Sequence, residues 1–379
     1  MSKPLTIVVN TRFLLDQRLE GIGWFTYETL QRLVKWHPND HFLFFFDRPY
    51  HNRFIFAHNV TPIVLSPPAR HPFLFYWWFE FSVHRALKKY KADIFISTDG
   101  FLSLKTQVPT LLVIHDIAHV HFPNQVKYLE QKYYNYFMPQ FAHKAARIAT
   151  VSNYSKQDIH QQYQVPLEKI DVVYNGARAD FKPLATQEQI AIKNKYADGA
   201  DYFFYIGAVH PRKNIHRLIT AFDQFKAATN APLKLLIGGR WAWQTGLVQE
   251  AYQSAAHKED ITFLGYIPDE EVPLLMASAF AFTYISNFEG FGIPLLEAMY
   301  CGVPVITSNV SSMPEVVGEA GLLVEPDSIA SIVMTMTSLL KNADLRQELS
   351  TKTQLQRQKF SWDLTTKRLE DSIKRVIEN

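Results

Sequence analysis

The chain has 379 residues, 47% of them hydrophobic and 20% charged, a length and composition typical of a globular protein with two domains. Its single cysteine, Cys301, excludes a fold held by disulfides and favours a reducing compartment. The N-terminal segment resembles a strand rather than a signal peptide, and no apolar run reaches about 18 residues, so we expect a cytoplasmic protein that does not span a membrane.

The net charge of +3 is unevenly distributed. Residues 1–180 contain 20 Lys and Arg against 14 Asp and Glu, whereas the remainder contains 19 against 22. One interpretation is that the basic half faces anionic lipid, as a peripheral protein on the cytoplasmic membrane face, or a phosphorylated acceptor. The other is an ordinary fluctuation of surface charge. We expect no nucleic-acid partner.

In the first part of the chain, short apolar runs alternate with helical patterns. The predicted strands are Leu5–Asn10, Phe42–Asp47, Asp93–Ser97, Thr110–His115, Ile148–Val151 and Ile170–Val173. The predicted helices include Gly23–Lys35, Phe73–Tyr90 and Asn124–His143.

A second series of the same kind follows after residue 200. Its predicted strands are Tyr202–Gly207, Leu233–Gly238, Ile261–Leu264, Ala281–Tyr284 and Val303–Thr307. Its predicted helices include Asn214–Ala228, Glu270–Ala277 and Ile293–Tyr300. Alternating strands and helices, with strands apolar on both faces, predict an α/β fold with parallel sheets covered by helices.

Between the two series, the polar stretch 175–200 interrupts the pattern with Asn175-Gly176 and Pro183. We interpret residues 179–200 as a linker between two Rossmann-like domains, residues 1–178 and 201–361. Ligands of such sheets bind beyond the carboxyl ends of the strands. The two domains are therefore expected to face each other across a central cleft that holds one active site.

The most informative segment runs from Phe280 to Pro326. A predicted strand ends near Tyr284, a glycine-containing loop follows, and a helix begins near Gly292 with Pro294 in its first turn, where its missing N–H costs nothing. The N–H groups of Phe291, Gly292 and Ile293 then form an anion site suited to a phosphate. Gly290 and Gly292 let the backbone approach a ligand closely.

Two carboxylates, Glu289 and Glu297, flank this predicted phosphate site. Carboxylates accept hydrogen bonds from vicinal hydroxyls, as acidic residues do on ribose in dinucleotide-binding folds. We interpret Glu297 as a ribose ligand and Glu289 as a ligand for hydroxyls of a transferred sugar. The alternative is that Glu297 only caps a buried helix and that Glu289 is a surface residue.

This segment resembles the donor-site signature of the retaining glycosyltransferases of family 4, which have the GT-B fold. The resemblance covers nearly the whole chain, and the matching segments are Gly21–Gly23, His115–Asp116, Ala149–Ser155, Asp171–Gly176, Tyr205–Ile215 and Phe360–Trp362. Ile285-Ser286 departs from the family, which often has proline before this serine. The resemblance also implies that the C-terminal helix, residues 362–379, crosses back to the N-terminal domain.

The resemblance implies an enzyme that moves a hexose from a nucleoside diphosphate sugar to a saccharide or lipid-linked saccharide in surface polysaccharide or glycolipid synthesis. Gly21-Ile22-Gly23 together with His115-Asp116 is similar to mannosyltransferase members, which favours mannose; glucose or a related sugar stays open. The acceptor would bind residues 1–178. In a reaction that retains the anomeric configuration of the donor, the resemblance favours front-face attack over a covalent intermediate. If a covalent intermediate forms, Glu289 is the nearest candidate for its nucleophile.

Arg212 and Lys213 follow the loop that contains Gly207, which the resemblance assigns to the donor diphosphate. Cations at a helix start are unfavourable because of the helix dipole, so their position favours a function. Two fixed cations would stabilise the charge that develops on the departing diphosphate. Because the protein supplies this charge, we predict no metal and no cofactor besides the donor.

In the N-terminal domain, the resemblance implies that the amides of Gly21 and Gly23 approach the donor phosphate or the acceptor. His115 ends the fourth predicted strand, and the resemblance places it near the transferred sugar, where it would position and polarise that sugar, with Asp116 as an acceptor ligand. Because His119 and His121 lie close to His115 in the sequence, a metal site formed by the three histidines is an alternative. Their spacing, however, fits neither one helical face nor a strand.

The aromatic run Phe73–Phe81 precedes a cluster of lysines and allows two interpretations. It is a helix buried against the sheet, or a surface that contacts an anionic membrane or binds a lipid-linked acceptor. Two other functions stay open for the whole chain: a GT-B subunit that binds or scaffolds without catalysis, and a sugar-nucleotide epimerase.

Overall fold

The computed structural model describes residues 3–16, 19–241 and 245–378. The chain divides into two compact units. Unit 1 comprises Met1–Asn175 and Trp362–Asn379, and unit 2 comprises Gly176–Ser361. Among the described residues, no helix is both long and apolar enough to cross a membrane.

Unit 1 contains a seven-stranded parallel sheet in the order β3-β2-β1-β4-β5-β6-β7. The strands are β1 (Thr6–Asn10), β2 (His41–Phe46), β3 (Val60–Val64), β4 (Ile94–Ser97), β5 (Thr110–Val113), β6 (Arg147–Thr150) and β7 (Ile170–Val172). Its first six helices are α1 (Gly21–Trp36), α2 (Pro72–Trp77), α3 (His84–Lys89), α4 (Ala118–His121), α5 (Tyr128–Lys144) and α6 (Asn153–Tyr163).

The core of unit 1 lies between the sheet and these helices. Val8, Phe95 and Leu112 on adjacent strands are fully buried, and Phe79 and Phe141 pack into the same cluster. Phe79 lies in a π-helical turn, Trp78–Val83, which joins α2 to α3. Strands apolar on both faces are what a parallel sheet covered by helices requires.

Unit 2 contains a six-stranded parallel sheet in the order β10-β9-β8-β11-β12-β13. The strands are β8 (Tyr202–Ile206), β9 (Lys234–Gly238), β10 (Ile261–Gly265), β11 (Ala281–Tyr284), β12 (Val305–Ser308) and β13 (Gly321–Val324). The helices are α7 (Thr186–Ala197), α8 (Ile215–Thr229), α9 (Gly246–Ser254), α10 (Val272–Ala277), α11 (Ile293–Tyr300), α12 (Met313–Val317), α13 (Ile329–Lys341) and α14 (Ala343–Arg357).

The last helix, α15 (Trp362–Ile377), returns to unit 1 and packs on α1. Arg32 on α1 donates from Nε to Asp363 Oδ1 at 2.5 Å, and Arg375 pairs with Asp171 at 2.6 Å. Trp362 and Phe25 meet edge to face with ring centroids 6.3 Å apart. The final segment therefore joins the N-terminal unit, as the resemblance implied.

Two parallel α/β units confirm the predicted fold class, and eleven of the predicted strands correspond to observed ones. Two strands were missed, β3 and β13, and both lie at a sheet edge. Because β3 lies between the second and third predicted strands, His115 follows the fifth strand of the unit rather than ending the fourth.

The segment 179–200, interpreted as a linker, lies in unit 2 and contains α7. This helix is capped at its start, where Glu188 Oε2 accepts from the Ala185 N–H at 3.0 Å. Only Ala197 of the helix is buried, so its sequence lacks the apolar stripe that usually indicates a helix.

Candidate functional site

The loop between β11 and α11 lies at the carboxyl edge of the sheet in unit 2. Glu289 is in the middle of this loop and is 7% exposed. Its backbone N–H donates to Ser311 Oγ at 3.0 Å, and its carbonyl accepts from Ser312 Oγ at 2.9 Å. The loop is thus fixed by the residues that follow β12, and the prediction that Glu289 precedes the helix in a loop is confirmed.

Glu289 forms ion pairs with both predicted cations. Its Oε1 is 2.6 Å from Lys213 Nζ and its Oε2 is 3.4 Å from an Arg212 guanidinium nitrogen. Burial alone would raise the pKa of Glu289, but Lys213 and Arg212 outweigh burial and lower it to about 2. The carboxylate is therefore ionised throughout the physiological range, and the interpretation of Glu289 as a surface residue is wrong.

Arg212 and Lys213 lie in a 3₁₀ turn, Pro211–Lys213, that leads into α8. The guanidinium of Arg212 donates to the carbonyl of Phe288, and the N–H of Asn287 donates to the Arg212 carbonyl at 2.9 Å. The loop after β8 and the loop after β11 are therefore joined at two points. Neither cation is an exposed side chain, since both are mostly covered.

Three residues of this cluster were not found from the sequence. Tyr284 Oη accepts from Lys213 Nζ at 2.6 Å, and its ring stacks on Tyr205 with centroids 5.8 Å apart. His210 Nδ1 accepts from the backbone N–H of Arg212 at 3.3 Å. The sequence did contain a signal for the two tyrosines. Each of the two central strands, β8 and β11, has a tyrosine at its last or next-to-last position.

The anion site predicted from the sequence stays a prediction, and the residues assigned to it lie around the first turn of α11. Gly292 adopts a φ of 89°, a left-handed conformation that favours glycine, and an added Cβ would meet Leu295 at 2.9 Å. Within the described chain, the N–H groups of Gly292 and Ile293 have no hydrogen-bond acceptor. The Phe291 side chain is buried and packs edge to face on Phe360, so it positions the loop that contains Gly290.

Glu297 lies on α11, one turn after its start, and is partly exposed. Burial raises the pKa of Glu297 to about 7, against the opposing effect of Arg178. In the described part of the chain, no group donates a hydrogen bond to this carboxylate. The side chain is therefore available to accept from a ligand, and near pH 7 it is only partly ionised.

Gly207 directly follows the first strand of unit 2 and closely approaches a second glycine. Gly207 adopts a φ of 150° and Gly239 a φ of 130°, and a Cβ on Gly239 would lie 1.8 Å from the Gly207 carbonyl oxygen. Only two glycines allow these backbones to meet. Gly239 was missed, although the Gly238-Gly239 pair directly after an apolar run was a signal for it.

His115 lies two residues beyond β5 in unit 1. Its Nε2 is 3.0 Å from the Thr98 carbonyl oxygen, which only accepts, so Nε2 carries the proton of the neutral ring. Burial lowers the pKa of His115, which keeps the ring neutral near pH 7. Nδ1 is then an acceptor, suited to a hydroxyl group.

The other predicted residues on this loop have separate partners. Asp116 Oδ1 accepts from the Ala118 N–H at 3.0 Å, His119 Nε2 is 2.9 Å from Tyr163 Oη, and His121 Nε2 is 2.8 Å from Asp158. The three histidines thus point to three different groups. Across the described ranges, no cluster of three His, Cys, Asp or Glu side chains could hold a metal ion.

Gly21 and Gly23 lie in the first turn of α1, as predicted. A Cβ on Gly23 would lie 2.8 Å from the Phe13 carbonyl oxygen, whereas nothing lies within 4 Å of one on Gly21. Gly23 therefore lets α1 pack on the preceding loop. The space at Gly21 leaves its amide accessible to a ligand.

The aromatic run Phe73–Phe81 is divided between the core and the surface. Trp78 and Phe79 are fully buried, whereas Phe73 and Trp77 are 74% and 52% exposed. Trp77 stacks on Phe81 with centroids 4.7 Å apart. The run is thus neither a wholly buried helix nor a wholly exposed one.

In unit 2, the two cations and the two helix amides can hold a diphosphate, and the two carboxylates can accept from sugar hydroxyls. In unit 1, the residues predicted from the sequence gather at the carboxyl edge of the sheet.

Two family models match the chain. Residues 186–356 match the model described as glycosyl transferases group 1, and residues 19–181 match the model described as glycosyltransferase family 4. The two matches occupy different halves of the chain and together cover most of it.

Several known proteins are similar to this chain. The O-antigen chain mannosyltransferase B of Escherichia coli is 32% identical over 74% of each chain, and the O-antigen chain mannosyltransferase RfbU of Salmonella typhimurium is 30% identical over 57% of this chain and 56% of that one. Among solved structures, HepE of Anabaena in complex with UDP and glucose superposes with a TM-score of 0.76 at 16% identity over 98% of this chain and 99% of that one. WaaG, a glycosyltransferase involved in lipopolysaccharide biosynthesis, superposes with a TM-score of 0.74 at 15% identity over 97% and 98%. These superpositions confirm the predicted GT-B fold.

Proposed function

We propose that this chain, which belongs to the group 1 and family 4 glycosyltransferases, transfers a mannosyl residue from a nucleoside diphosphate mannose to a saccharide or lipid-linked saccharide acceptor in the synthesis of a surface polysaccharide. The observation that carries the proposal is Glu289, held between Lys213 and Arg212 in the loop that follows a central strand. The names of the mannosyltransferases of Escherichia coli and Salmonella typhimurium support mannose as the sugar and O-antigen-type saccharides as the acceptor.

We further propose that the reaction retains the anomeric configuration through front-face attack. The bond from the anomeric carbon to the diphosphate oxygen breaks, the acceptor oxygen bonds on the same face, and the acceptor proton passes to the departing diphosphate. Lys213 and Arg212 would stabilise the charge that this step leaves on the diphosphate. A carboxylate already neutralised by two cations is a weak nucleophile, which supports Glu289 as a hydroxyl ligand rather than the site of a covalent intermediate.

The same cations support a reaction that needs neither a metal ion nor a cofactor besides the donor. Two positive side chains and the two N–H groups of Gly292 and Ile293 supply four donors for diphosphate oxygens. A divalent cation performs this task in enzymes that lack such donors.

A peripheral contact with an anionic membrane is a further part of the proposal. We define the aromatic surface as the exposed rings of Phe73 and Trp77 on α2 and of Tyr128 and Tyr136 on α5. Tyr76 on α2 packs against Phe137 on α5, which joins the two helices. Cations border these rings: Lys105 and Arg85 lie over Phe81, and Lys132 lies over Tyr128. Exposed rings with a basic border suit an interface with anionic lipid.

The proposed function is tested by measuring binding and slow hydrolysis of a panel of nucleoside diphosphate sugars, without acceptor and in the presence of a chelator. One mannosyl donor should bind and be hydrolysed, and the released sugar should keep its anomeric configuration by NMR. Lys213→Ala and Glu289→Ala should each lower hydrolysis by about 100-fold or more, because each removes a group fixed at the reacting centre. Lys341→Ala, which removes an exposed lysine of the same unit, is the matched control and should have no effect.

Each other outcome contradicts a specific part of the proposal. Hydrolysis that requires magnesium or manganese would refute metal independence, and an inverted product would refute retention. Hydrolysis of a glucosyl donor instead of a mannosyl donor would assign glucose as the transferred sugar. Absence of binding to every donor would support the scaffold alternative, and conversion of a donor into its epimer would support the epimerase.

A further inference from the structure

Four neighbouring strands of unit 1 end in the same way. In each of β2, β1, β4 and β5, the second residue beyond the strand is polar: Arg48, Arg12, Asp99 and His115. Because parallel strands end at one edge of the sheet, these side chains form a row along that edge. The first three of them line a cavity of about 470 Å³ whose lining residues all belong to unit 1.

Arg12 is a buried cation in the wall of this cavity. It is 6% exposed, and its Nε donates to a carboxylate oxygen of Asp99. Its guanidinium carbon lies within 5.5 Å of the centroids of four rings, Phe13, Phe75, Phe79 and Phe101. Among the described residues, no acceptor bonds the two terminal nitrogens of Arg12. A buried guanidinium that keeps two parallel donors unused is arranged for a two-pronged oxyanion.

Two further arginines of the cavity are positioned by one buried carboxylate. Asp47 accepts from Arg48 Nε at 2.6 Å and from a terminal Arg48 nitrogen at 2.7 Å, and it also accepts from the Ala69 N–H at 2.9 Å. The last bond fixes the backbone just before Arg70. Arg70 is exposed and lines the cavity, and its side chain has no hydrogen-bond or ion-pair partner within the described residues.

The charges of the cavity do not cancel. Asp99 neutralises Arg12 and Asp47 neutralises Arg48, which leaves the charge of Arg70 without a counterion. The start of α1 adds to the positive potential, since Ile22 in its first turn lines the cavity and no side chain caps this 16-residue helix. The rest of the lining is largely apolar and aromatic, including Phe75 and Tyr134.

We propose that this cavity binds a phosphoryl group carried by the acceptor, with Arg12 and Arg70 as its ligands. The apolar and aromatic lining would contact the sugar or alkyl group attached to that phosphate. The enzyme would then extend a saccharide linked to a phosphate or diphosphate rather than a neutral free saccharide. This inference rests on the proposed function, because it takes unit 1 as the acceptor-binding unit.

The test is a calorimetric titration of the full chain with three probes: mannose 1-phosphate, hexyl phosphate and unphosphorylated mannose. Both phosphates should bind, and mannose should bind at least about tenfold more weakly because it lacks the charged group. Arg70→Gln, a change at an exposed position, should weaken phosphate binding about tenfold or more. Arg12→Lys, which keeps the charge beside Asp99 but removes the paired donors, should also weaken it. Lys144→Gln, a change at an exposed lysine outside the cavity, is the matched control.

Lys213→Ala separates this cavity from the donor site, because it alters unit 2 alone. Phosphate binding that survives Lys213→Ala and is lost in Arg70→Gln supports the proposal whatever the donor is. Binding of mannose 1-phosphate alone would assign the phosphate to a sugar, and binding of hexyl phosphate alone would assign it to a lipid. Phosphate binding that is lost in Lys213→Ala and unchanged in Arg70→Gln would overturn the cavity proposal and leave the proposed function intact. Equal binding of mannose and its phosphate would also overturn it.

Discussion

Glu297 is a carboxyl group whose ionisation opposes folding. Burial raises its pKa to about 7, whereas in the unfolded chain a glutamate titrates near about 4.3. Between these values the folded unit binds the proton more tightly than the unfolded chain does. The contribution of this group to the free energy of unfolding therefore falls as pH rises through the window, and the full cost is present above about pH 7.

Glu297→Gln should therefore stabilise unit 2 in a pH-dependent way. At pH 8 the variant avoids the buried charge, and we expect the thermal midpoint to rise by about 2 °C or more, since about 1 kcal/mol corresponds to ~2–4 °C for a unit of this size. At pH 5, near the lower end of the window, the gain should be clearly smaller than at pH 8, and it should disappear below about pH 4, where the carboxyl is protonated in both states. Thermal unfolding of variant and wild type at pH 5, 6, 7 and 8 measures the difference directly.

Glu250→Gln, at an exposed position on α9, is the control for the loss of a carboxyl group in general and should not change the midpoint at either pH. Donor binding should weaken in Glu297→Gln if this carboxylate accepts from the ribose. A midpoint gain of the same size at pH 5 and pH 8 would contradict the raised pKa.

At the same scale, the sequence indicated the charged residues of the donor site but not their partners. Glu289, Lys213 and Arg212 could be named because each lies beside a glycine loop at a strand end. Tyr284 bonds Lys213 across 71 positions of the chain, and no local pattern encodes a contact of that separation. The roles assigned to these residues remain predictions, whereas the ion pairs between them are observed.

At the scale of the element, the two missed strands, β3 and β13, both occupy sheet edges, where one side of the strand is open. Each also has a local feature that weakens its strand pattern. β3 contains Pro62, which lacks an N–H and is tolerated in an edge strand but argues against a central one. Leu323 in β13 is 43% exposed. The central strands were predicted because both of their faces are buried. The edge position alone does not hide a strand, since the edge strands β7 and β10 were predicted.

The divided aromatic run has a related explanation. An apolar helix can be buried on all sides or can leave rings at the surface, and composition alone does not distinguish the two. The structure buries Trp78 and leaves Trp77 half exposed, because adjacent residues of a helix lie about 100° apart around its axis. The aromatic surface thus follows from the position of α2 on the unit rather than from the residues of the run.

The double change Phe73→Ser with Trp77→Ser should weaken binding to vesicles that contain phosphatidylglycerol. Burial of two such rings at an interface contributes about 1 kcal/mol or more each, so the partition coefficient should fall about tenfold or more. Cosedimentation with vesicles gives this coefficient, and added salt should lower the wild-type value because the lysines act electrostatically.

Trp36→Ser removes a tryptophan of similar exposure, 42% against 52%, from the end of α1 and serves as the control. It should leave vesicle binding unchanged. Equal binding of wild type to neutral and anionic vesicles, or an equal loss in Trp36→Ser, would refute the aromatic surface as a membrane contact.

At the scale of the whole molecule, the chain leaves unit 1, completes unit 2 and returns. The return is made by α15, which buries Trp362, Leu369, Ile373 and Val376 in unit 1 and contributes Arg375 to an ion pair with Asp171. The core of unit 1 is therefore incomplete without α15. This dependence was read from a family resemblance at Phe360–Trp362, not from the local pattern of residues 362–379, which would fit any amphipathic helix.

Two leucines of α15 distinguish the contribution of its buried face to the core of unit 1 from the general effect of a substitution in this helix. Leu369 is fully buried, and Leu369→Ala should lower the free energy of unfolding of unit 1 by about 2–5 kcal/mol because it leaves a cavity. Leu364 is 41% exposed, and Leu364→Ala should change the free energy of unfolding of unit 1 by no more than about 0.5 kcal/mol. Hydrogen exchange followed by mass spectrometry should show faster exchange of amides in β1 and α1 in the first variant, with unit 2 unchanged. Faster exchange confined to unit 2, or equal effects of the two substitutions, would mean that α15 does not complete the core of unit 1.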